Sequence, residues 1–481
     1  MTRAVGNFTV RERFSTVRHN QGTYRCVCIT ARYITPSAPE DLVSTLEATL
    51  GKVILQHAAL CCGIINEDKE DPHFVRLESI DVSKCIEYQN LKVTSTEEHE
   101  QGLVEILERR HSTLWPNLHL LPGWKLIIVQ SPALSSTGTT FDAVFAVHHA
   151  FCDGLSAMVF HRSLLSALNS RASSTPSLKN HILTIPSTVV LSPPVEKCVD
   201  FKVSWFYIIQ QLWNEFMPRL PFLPALPVAW TSTIPSLTSL KNYKSRVKIF
   251  HIPAPFVPNI LSECRKHNTT LTGLIHALTT LSLAQDIPTA ETFTSTTPFS
   301  LRYLTGLSPT SEMGVQVSAF ETTYPPALIS SLRSQHVSPS QLAETLWHFA
   351  RTFKSDLSAE IASLPNNNQL GMIPYISSMH DFIRKKFGKK RGATYEVSNV
   401  GVFKNENEEG MWKIERADFT QSGSAVGPGV GLSVVSVAGG QLSVSLDWLE
   451  GDMDEAVLES LKSDLENGLR GIGEGREVGR W

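Results

Sequence analysis

The sequence has little excess of charge of either sign. Its 481 residues carry a formal net charge of -3 at neutral pH, and 19% of them are charged. Because a nucleic-acid-binding protein usually carries a basic stripe, this balance argues against a nucleic-acid partner. No stretch reaches the uninterrupted apolar length of a membrane span. The opening MTRAVGNFTVRERF lacks the apolar core of a signal peptide. We therefore expect a cytoplasmic protein without a transmembrane segment, with loose association with a membrane or lipid surface left open.

Metal and nucleotide signatures are also missing. The eight cysteines include Cys-Val-Cys and Cys-Cys, but the second pair that a zinc site needs is absent. In a chain of this length we interpret them as buried, reduced thiols, which are typical of the cytosol. The sequence has no G-x-G-x-x-G after a predicted strand and no P-loop. We expect no metal site, and a nucleotide-binding fold has no support.

The pattern of predicted elements favours an α/β protein (α+β, with mixed sheets), because both halves mix strands and helices without regular βαβ alternation. The length favours two or three domains. We predict an N-terminal subdomain at residues 1–200, a linker or strap at 201–245 and a C-terminal subdomain at 246–481. Strands at 124–130 and 141–149 are predicted to pair as a hairpin, and so are the apolar stretches on either side of residues 438–441.

Two further segments have predicted structural roles. Ser37 and Glu40, with Pro39 in the first turn, are predicted to form a capping box for the helix that follows. Segment 204–230 is aromatic and interrupted by prolines. We favour a helix and an extended strap packed between two domains. The alternatives are the lip of a lipophilic channel and a shallow contact with a membrane surface.

The most unusual stretch is HHAFCDG at residues 148–154. It follows the apolar strand FDAVFAV and precedes a segment whose leucines have helical spacing, so the motif lies at a strand-to-helix turn. Gly154 suits a tight turn that most side chains would strain. Histidine can accept a proton from a hydroxyl and release it within one turnover, as acyl transfer from a thioester to an alcohol requires. The alternative is two core histidines, with Asp153 favouring the start of the helix by its charge.

The H-H-x-x-x-D-G pattern resembles the signature of the chloramphenicol acetyltransferase-like superfamily. That superfamily includes plant BAHD acyltransferases, condensation domains of nonribosomal peptide synthetases and fungal alcohol acetyltransferases. The chain is most similar to the last group, since R-x-R-F, Y-R-C-V-C-I-T-A-R-Y, G-W-K-L-I-I-V-Q, TTPFSLR and SNVG occur in the family's order from about residue 6 to 465. The D-F-G-W-G stretch of the plant enzymes is absent, and ADFTQSGSAVGPGVG occupies a comparable place. The resemblance implies two chloramphenicol acetyltransferase-like subdomains with an interdomain channel.

The resemblance also implies a role for each residue of the motif. His149 would be the general base that reaches into the channel, and His148 would be structural. Neighbours in an extended strand face opposite ways, so only one of the two can point into the channel. Asp153 would turn away from the channel and pair with Arg302, at the end of TTPFSLR, to tie the two halves together. Gly154 would let the turn close.

Other polar residues are candidates for contacts with the reacting groups. The tetrahedral oxyanion needs a polar donor. Ser422, Ser424 and Asn399 are possible oxyanion or substrate contacts, although such residues more often serve in turns and caps. Cys152 invites a role as a covalent acyl carrier, but the motif leaves its position free. We therefore expect direct transfer in a ternary complex, without a metal.

The function that the resemblance implies is O-acyl transfer from acetyl-CoA, as co-substrate, to a lipophilic alcohol. Aromatic residues near 205–230 hint at a terpenoid or polyketide alcohol of fungal secondary metabolism. Alternatives are transfer of another acyl group, transfer to an amine or a short volatile alcohol, and a catalytically silent relative that acts as a binding protein. We expect a monomer, because the two halves can bury their faces on each other.

Overall fold

The computed structural model describes residues 4–7, 10–36, 39–134, 138–170, 178–216, 228–334, 338–405, 412–477 and 479. Strands and helices alternate irregularly along these ranges. The strands are β1 (Ala4–Asn7), β2 (Val27–Thr35), β3 (Cys62–Ile65), β4 (His73–Arg76), β5 (Ser79–Asp81), β6 (Ile86–Asn90), β7 (Trp124–Gln130), β8 (Thr139–Val147), β9 (Ile182–Thr184), β10 (Ser245–Ile252), β11 (Thr294–Ser300), β12 (Val317–Thr323), β13 (Tyr395–Phe403), β14 (Lys413–Gln421), β15 (Val430–Val437) and β16 (Leu442–Leu449).

Helices separate many of these strands and cover the sheets. They are α1 (Val10–Asn20), α2 (Leu42–Gln56), α3 (Val82–Cys85), α4 (Thr96–Ser112), α5 (Gly154–Asn169), α6 (Val195–Cys198), α7 (Trp205–Phe216), α8 (Val257–Lys266), α9 (Leu271–Asp286), α10 (Arg302–Thr305), α11 (Pro326–Arg333), α12 (Pro339–Ser363), α13 (Gln369–Met372), α14 (Met379–Arg384) and α15 (Glu455–Gly473).

Two large mixed sheets organise the molecule. One has five strands in the order β14-β2-β8-β7-β6, and the other has six in the order β10-β16-β15-β13-β11-β12. Both predicted hairpins are confirmed, with Trp124 opposite Val147 in the first and Val430 opposite Trp448 in the second. Three neighbouring pairs of strands run parallel, namely β6 with β7, β11 with β13 and β13 with β15. The prediction of mixed sheets is confirmed.

One strand crosses from the C-terminal part of the sequence into the first sheet. Strand β14 pairs with β2 in antiparallel register, so that Phe419 lies opposite Ile29. Asp418, which precedes Phe419 in β14, contacts the second sheet. Its carboxylate accepts a hydrogen bond from Ser443 Oγ at 2.6 Å and lies 2.7 Å from His251 Nε2. Strand β14 therefore belongs to one sheet by its backbone and contacts the other by its side chains. The boundaries of the two subdomains stay a prediction.

The predicted capping box is wrong. Helix α2 begins at Leu42, and Asp41 is its N-cap, whose carboxylate accepts the backbone N–H of Ser44 at 3.1 Å. Pro39 and Glu40 precede the helix, and Ser37 lies outside the described residues. An aspartate in the N-cap position satisfies a free amide of the first turn, so the helix needs no earlier cap.

The structure describes mainly the helical part of the segment predicted as a helix and strap. Helix α7 exposes 80% of Trp205, 77% of Phe206 and 58% of Ile209, so the interpretation of a helix packed between two domains is wrong for this helix. The following residues 217–227 lie outside the described part of the chain. Among the described residues, no helix combines the length and the apolar character that crossing a bilayer requires.

Candidate active site

The HHAFCDG turn lies where β8 ends and α5 begins, and it opens onto a cavity of about 350 Å³. Both large sheets contribute to the wall, as Val27 of β2 and Thr296 of β11 show. The ring of His149 is partly exposed and lines this cavity. Tyr24 lines it as well, with a distance of 5.9 Å between the centroids of the two rings.

His149 is neutral at physiological pH. Burial and the nearby guanidinium of Arg18 lower its pKa to about 4, and the opposing effects of its own backbone carbonyl and of Asp153 are smaller. A neutral imidazole has a nitrogen lone pair that can accept a proton. The ring therefore has both the position and the protonation state of a general base.

His148 faces away from the cavity and is buried. Its Nδ1 accepts the backbone N–H of Ala150 at 3.0 Å, so Nε2 carries the hydrogen, and Nε2 lies 3.7 Å from Glu67 Oε1. The same carboxylate lies 2.5 Å from His19 Nδ1. Although burial opposes the shift, His148 and His19 lower the pKa of Glu67 to about 2. The carboxylate therefore links α1 to the motif.

Within the described part of the chain, two groups of side chains have atoms of the kinds that bind metal ions. In the group of His19, Glu67 and His148, the far nitrogen of each ring accepts a backbone N–H. The nitrogens that face the carboxylate therefore carry hydrogens, which suits hydrogen bonding and opposes metal coordination.

The second group consists of Cys26, Cys28 and His111. His111 Nδ1 lies 3.3 Å from Cys26 Sγ, which is 3.8 Å from Cys28 Sγ. On its other side, His111 Nε2 lies 2.8 Å from Thr420 Oγ1. Hydrogen bonds between thiols, imidazole and hydroxyl account for these contacts without a metal.

Asp153 and Arg302 lie in contact. Arg302 Nη1 donates to Asp153 Oδ2 at 2.8 Å and Nη2 donates to Oδ1 at 3.0 Å. The carboxylate also accepts the backbone N–H groups of Ser156, at 2.8 Å, and Gln316, at 3.0 Å. Burial alone would raise the pKa of Asp153, but Arg302 and these amides hold it below its usual value. Asp153 is also the N-cap of α5, so one carboxylate starts that helix and binds a residue of α10.

Gly154 is required for space and not for a left-handed turn. Its φ lies outside the left-handed region, whereas a Cβ built on it would come within 2.6 Å of Val400 Cγ1 and 3.2 Å of Phe419 Cζ. The sequence-based explanation of a strained turn is therefore wrong. The glycine allows α5 to approach β13 and β14 closely.

All three predicted oxyanion contacts line the cavity, but each also serves the local fold. Ser422 Oγ accepts the backbone N–H of Cys26 at 2.9 Å, and Ser424 Oγ accepts that of Gly427 at 2.9 Å. Asn399 Oδ1 accepts a backbone N–H, and its Nδ2 donates to Thr272 Oγ1 at 3.2 Å. Ser422 also donates its hydroxyl hydrogen to the backbone carbonyl of Cys26 at 3.1 Å, whereas Thr272 accepts one of the two amide hydrogens of Asn399.

Cys152 is buried, and burial raises the pKa of its thiol well above the usual value. The thiolate is the nucleophilic form of cysteine, so this environment opposes a role as acyl carrier.

The sequence analysis missed several polar residues that line the cavity. Two of them, Glu396 and Asp447, lie inside strands whose other residues are mostly buried. An acidic residue within an otherwise apolar strand was the signal that could have found them, because burial of an unpaired carboxyl group is costly. Others include Arg18, Tyr24 and Gln421.

The two mixed sheets, with the histidine motif at a cavity lined by both, define an acyltransferase with the chloramphenicol acetyltransferase-like fold. TRI3 trichothecene 15-O-acetyltransferase from Fusarium sporotrichioides shares this fold, with a TM-score of 0.68 and 14% identity over 98% of this chain and 95% of that one. The first condensation domain of the CDA synthetase also shares it, with a TM-score of 0.63 and 12% identity over 99% and 98% of the two chains.

The chain belongs to the alcohol acetyltransferase family, whose family model matches residues 10–463. It is 27% identical to Probable alcohol acetyltransferase FCK4 of Fusarium pseudograminearum, over 89% of this chain and 86% of the relative. It is 26% identical to Probable alcohol acetyltransferase crmB of Aspergillus fumigatus, over 94% and 97% of the two chains. The predictions of the family, of the fold and of an enzyme of the alcohol acetyltransferase type are confirmed.

Proposed function

We propose that the protein transfers an acetyl group from acetyl-CoA to a hydroxyl group of a secondary-metabolite alcohol, with His149 as the general base. The observation that carries this proposal is a neutral imidazole on the wall of a cavity lined by both sheets. The Fusarium protein that shares the fold is a trichothecene 15-O-acetyltransferase, which supports acetyl transfer to a hydroxyl oxygen of such an acceptor.

In the proposed reaction, the alcohol gives its proton to His149 as its oxygen attacks the carbonyl carbon of the thioester. The carbon–sulfur bond then breaks, and the leaving thiolate takes the proton back from the imidazolium. Arg18 disfavours the charged imidazolium, which favours return of the proton. The enzyme thus ends the cycle in its starting protonation state, and no covalent acyl-enzyme is needed.

The oxyanion of the tetrahedral intermediate needs a hydrogen-bond donor. We propose Asn399 as this donor, because its side-chain amide has two hydrogens and Thr272 accepts one of them. Ser422 and Ser424 then shape the cavity and its turns. Asp153, Arg302 and Gly154 hold the motif in place, and His148 anchors it to Glu67.

The setting of the enzyme forms part of the same proposal. We expect it to act as a monomer in the cytoplasm, with free acetyl-CoA and an alcohol as its small-molecule partners. The exposed aromatic face of α7 supports loose contact with a lipid surface, where lipophilic acceptors concentrate.

The test is release of free thiol from acetyl-CoA in the presence of a panel of alcohols and amines, with products identified by mass spectrometry. His149→Ala should lose about 10² to 10⁴-fold in turnover, which is the usual contribution of a general base. The matched control is His348→Ala, because His348 is exposed on α12 and is not among the residues that line the cavity.

Near-normal turnover of His149→Ala would refute the assignment of the base. Acetylated amines in place of esters would change the class of acceptor. The absence of any thiol release across the panel would favour a catalytically silent binding protein.

A further inference from the structure

Five residues form a polar wall on one part of the cavity: Arg18, Tyr24, Glu396, Gln421 and Asp447. A cavity built only for a lipophilic molecule would have apolar side chains at such positions, because an apolar ligand leaves polar groups unsatisfied. The polar wall therefore indicates a substrate that has polar groups of its own.

Hydrogen bonds connect the wall into one network. The Tyr24 hydroxyl donates to Gln421 Oε1 at 3.1 Å, and Gln421 Nε2 donates to Glu396 Oε1 at 3.2 Å and to Ser433 Oγ at 3.3 Å. Ser433 in turn donates to Asp447 Oδ2 at 3.4 Å. Since the ring of Tyr24 contacts that of His149, the network begins at the imidazole and leads away from it.

The strands leave room for the buried carboxyl group of this network. Asp447 lies opposite Gly431 in the pairing of β15 with β16, and a Cβ at residue 431 would come within 2.7 Å of Asp447 Oδ1. Burial and the negative charge of Glu396 raise the pKa of Asp447 well above its usual value. Glu396 is partly exposed on the cavity.

Another acceptor faces the same space. The side chain of Gln316 lines the cavity and is 4% exposed, and its Oε1 has no hydrogen-bond partner among the residues that the structure describes. The wall also has a positive charge, the guanidinium of Arg18. It lies over the rings of Phe14 and Tyr24, at 4.6 and 4.4 Å from their centroids. These ring contacts fix the cation beside His149, while the carboxylate of Glu396 lies further along the network.

We propose that the acceptor alcohol carries a second hydrogen-bond donor, a hydroxyl or an ammonium group, which Glu396 binds while the reacting hydroxyl lies at His149. This inference rests on the proposed function, and it replaces a uniformly lipophilic acceptor by one that has a second polar group away from the reacting hydroxyl. Glu396 then acts as a specificity-determining residue that has no part in the proton transfer.

Three probes of equal chain length test the proposal: octanol, the octanediol with a hydroxyl group at each end, and the matching amino alcohol. Binding to the full-length protein is measured by calorimetry without acetyl-CoA. The diol and the amino alcohol should bind about tenfold or more tightly than octanol, because a hydrogen bond to a charged group contributes that much. Glu396→Gln should remove most of the preference for the amino alcohol.

Glu344→Gln is the matched control, since Glu344 is exposed on α12, and it should keep the preference of the wild type. Equal binding of all three probes to the wild type, or an unchanged preference in Glu396→Gln, would overturn the proposal. Thiol release from acetyl-CoA is measured separately with the same probes. The proposed function fails if a bound alcohol releases no thiol, whereas this inference fails on the binding data alone.

Discussion

Replacing Arg302 with alanine removes one partner of a buried ion pair and leaves the other in place. Arg302 is 3% exposed and Asp153 is 4% exposed. Arg302→Ala deletes both hydrogen bonds to the carboxylate, at 2.8 and 3.0 Å, as well as a third to Ser156 Oγ at 3.0 Å. The backbone amides that remain around Asp153 cannot neutralise its charge.

The loss of stability in Arg302→Ala comes from the buried charge of Asp153, which remains without its partner. Breaking a buried ion pair by removing one partner costs about 3 to 5 kcal/mol. At about 2.1 cal/mol/K per residue, the entropy of unfolding of 481 residues is about 1 kcal/mol/K. We therefore expect the melting temperature of Arg302→Ala to fall by about 3 to 5 °C.

Differential scanning calorimetry measures this shift, with Arg384→Ala as the control. Arg384 pairs with Asp381 on the surface of α14, where both side chains are more than half exposed, and such pairs contribute about 0 to 1 kcal/mol. The double variant Asp153→Asn, Arg302→Met removes both charges and should recover part of the loss. Equal melting temperatures for Arg302→Ala and Arg384→Ala would refute the reasoning, and so would a double variant less stable than the single one.

Three further predictions concern protonation and packing. Because the pKa of His149 is lowered to about 4, the acid limb of kcat/KM should lie near that pH and not near 6.5, and Arg18→Gln should move it upward. A pH profile that is the same in both proteins would contradict this. Gly154→Ala should lower the free energy of unfolding, measured by chemical denaturation, by about 1 to 3 kcal/mol, because the added Cβ would clash with its neighbours. A Cβ added at Gly392 would have nothing within 4 Å, so Gly392→Ala should change this free energy little. Stability should fall as pH falls from about 6.5 to about 4, because buried His161, with its pKa lowered to about 4, takes up a proton only on unfolding. A constant melting temperature across that window would show that other groups compensate.

Local patterns in the sequence predicted much of the fold. The hairpin of β7 and β8 follows two apolar runs separated by a polar loop, and α5 begins directly after Asp153, at the predicted strand-to-helix turn. A short spacing pattern identifies the HHAFCDG motif, whereas Arg302 was named from the family resemblance that TTPFSLR carries. Each of these features can be recognised from residues close to it in the sequence.

The pairing of β14 with β2 could not be predicted in this way. Alternation of apolar residues indicates a strand but does not name its partner, which is set by packing across distant parts of the chain. Glu67 was missed for the same reason, since it lies in a loop and reaches His148 only in the folded molecule. The aromatic residues of α7 fit burial and exposure equally well from sequence alone.

The crossing of β14 also determines how the polypeptide can be divided and when it can finish folding. Without residues 413–421, β2 would become an edge strand, with a row of unsatisfied backbone groups open to pairing with another molecule. During synthesis, the first sheet therefore stays incomplete until nearly the whole polypeptide has left the ribosome. If the polypeptide were divided near residue 216, we expect each fragment to become monodisperse only after it is mixed with the other.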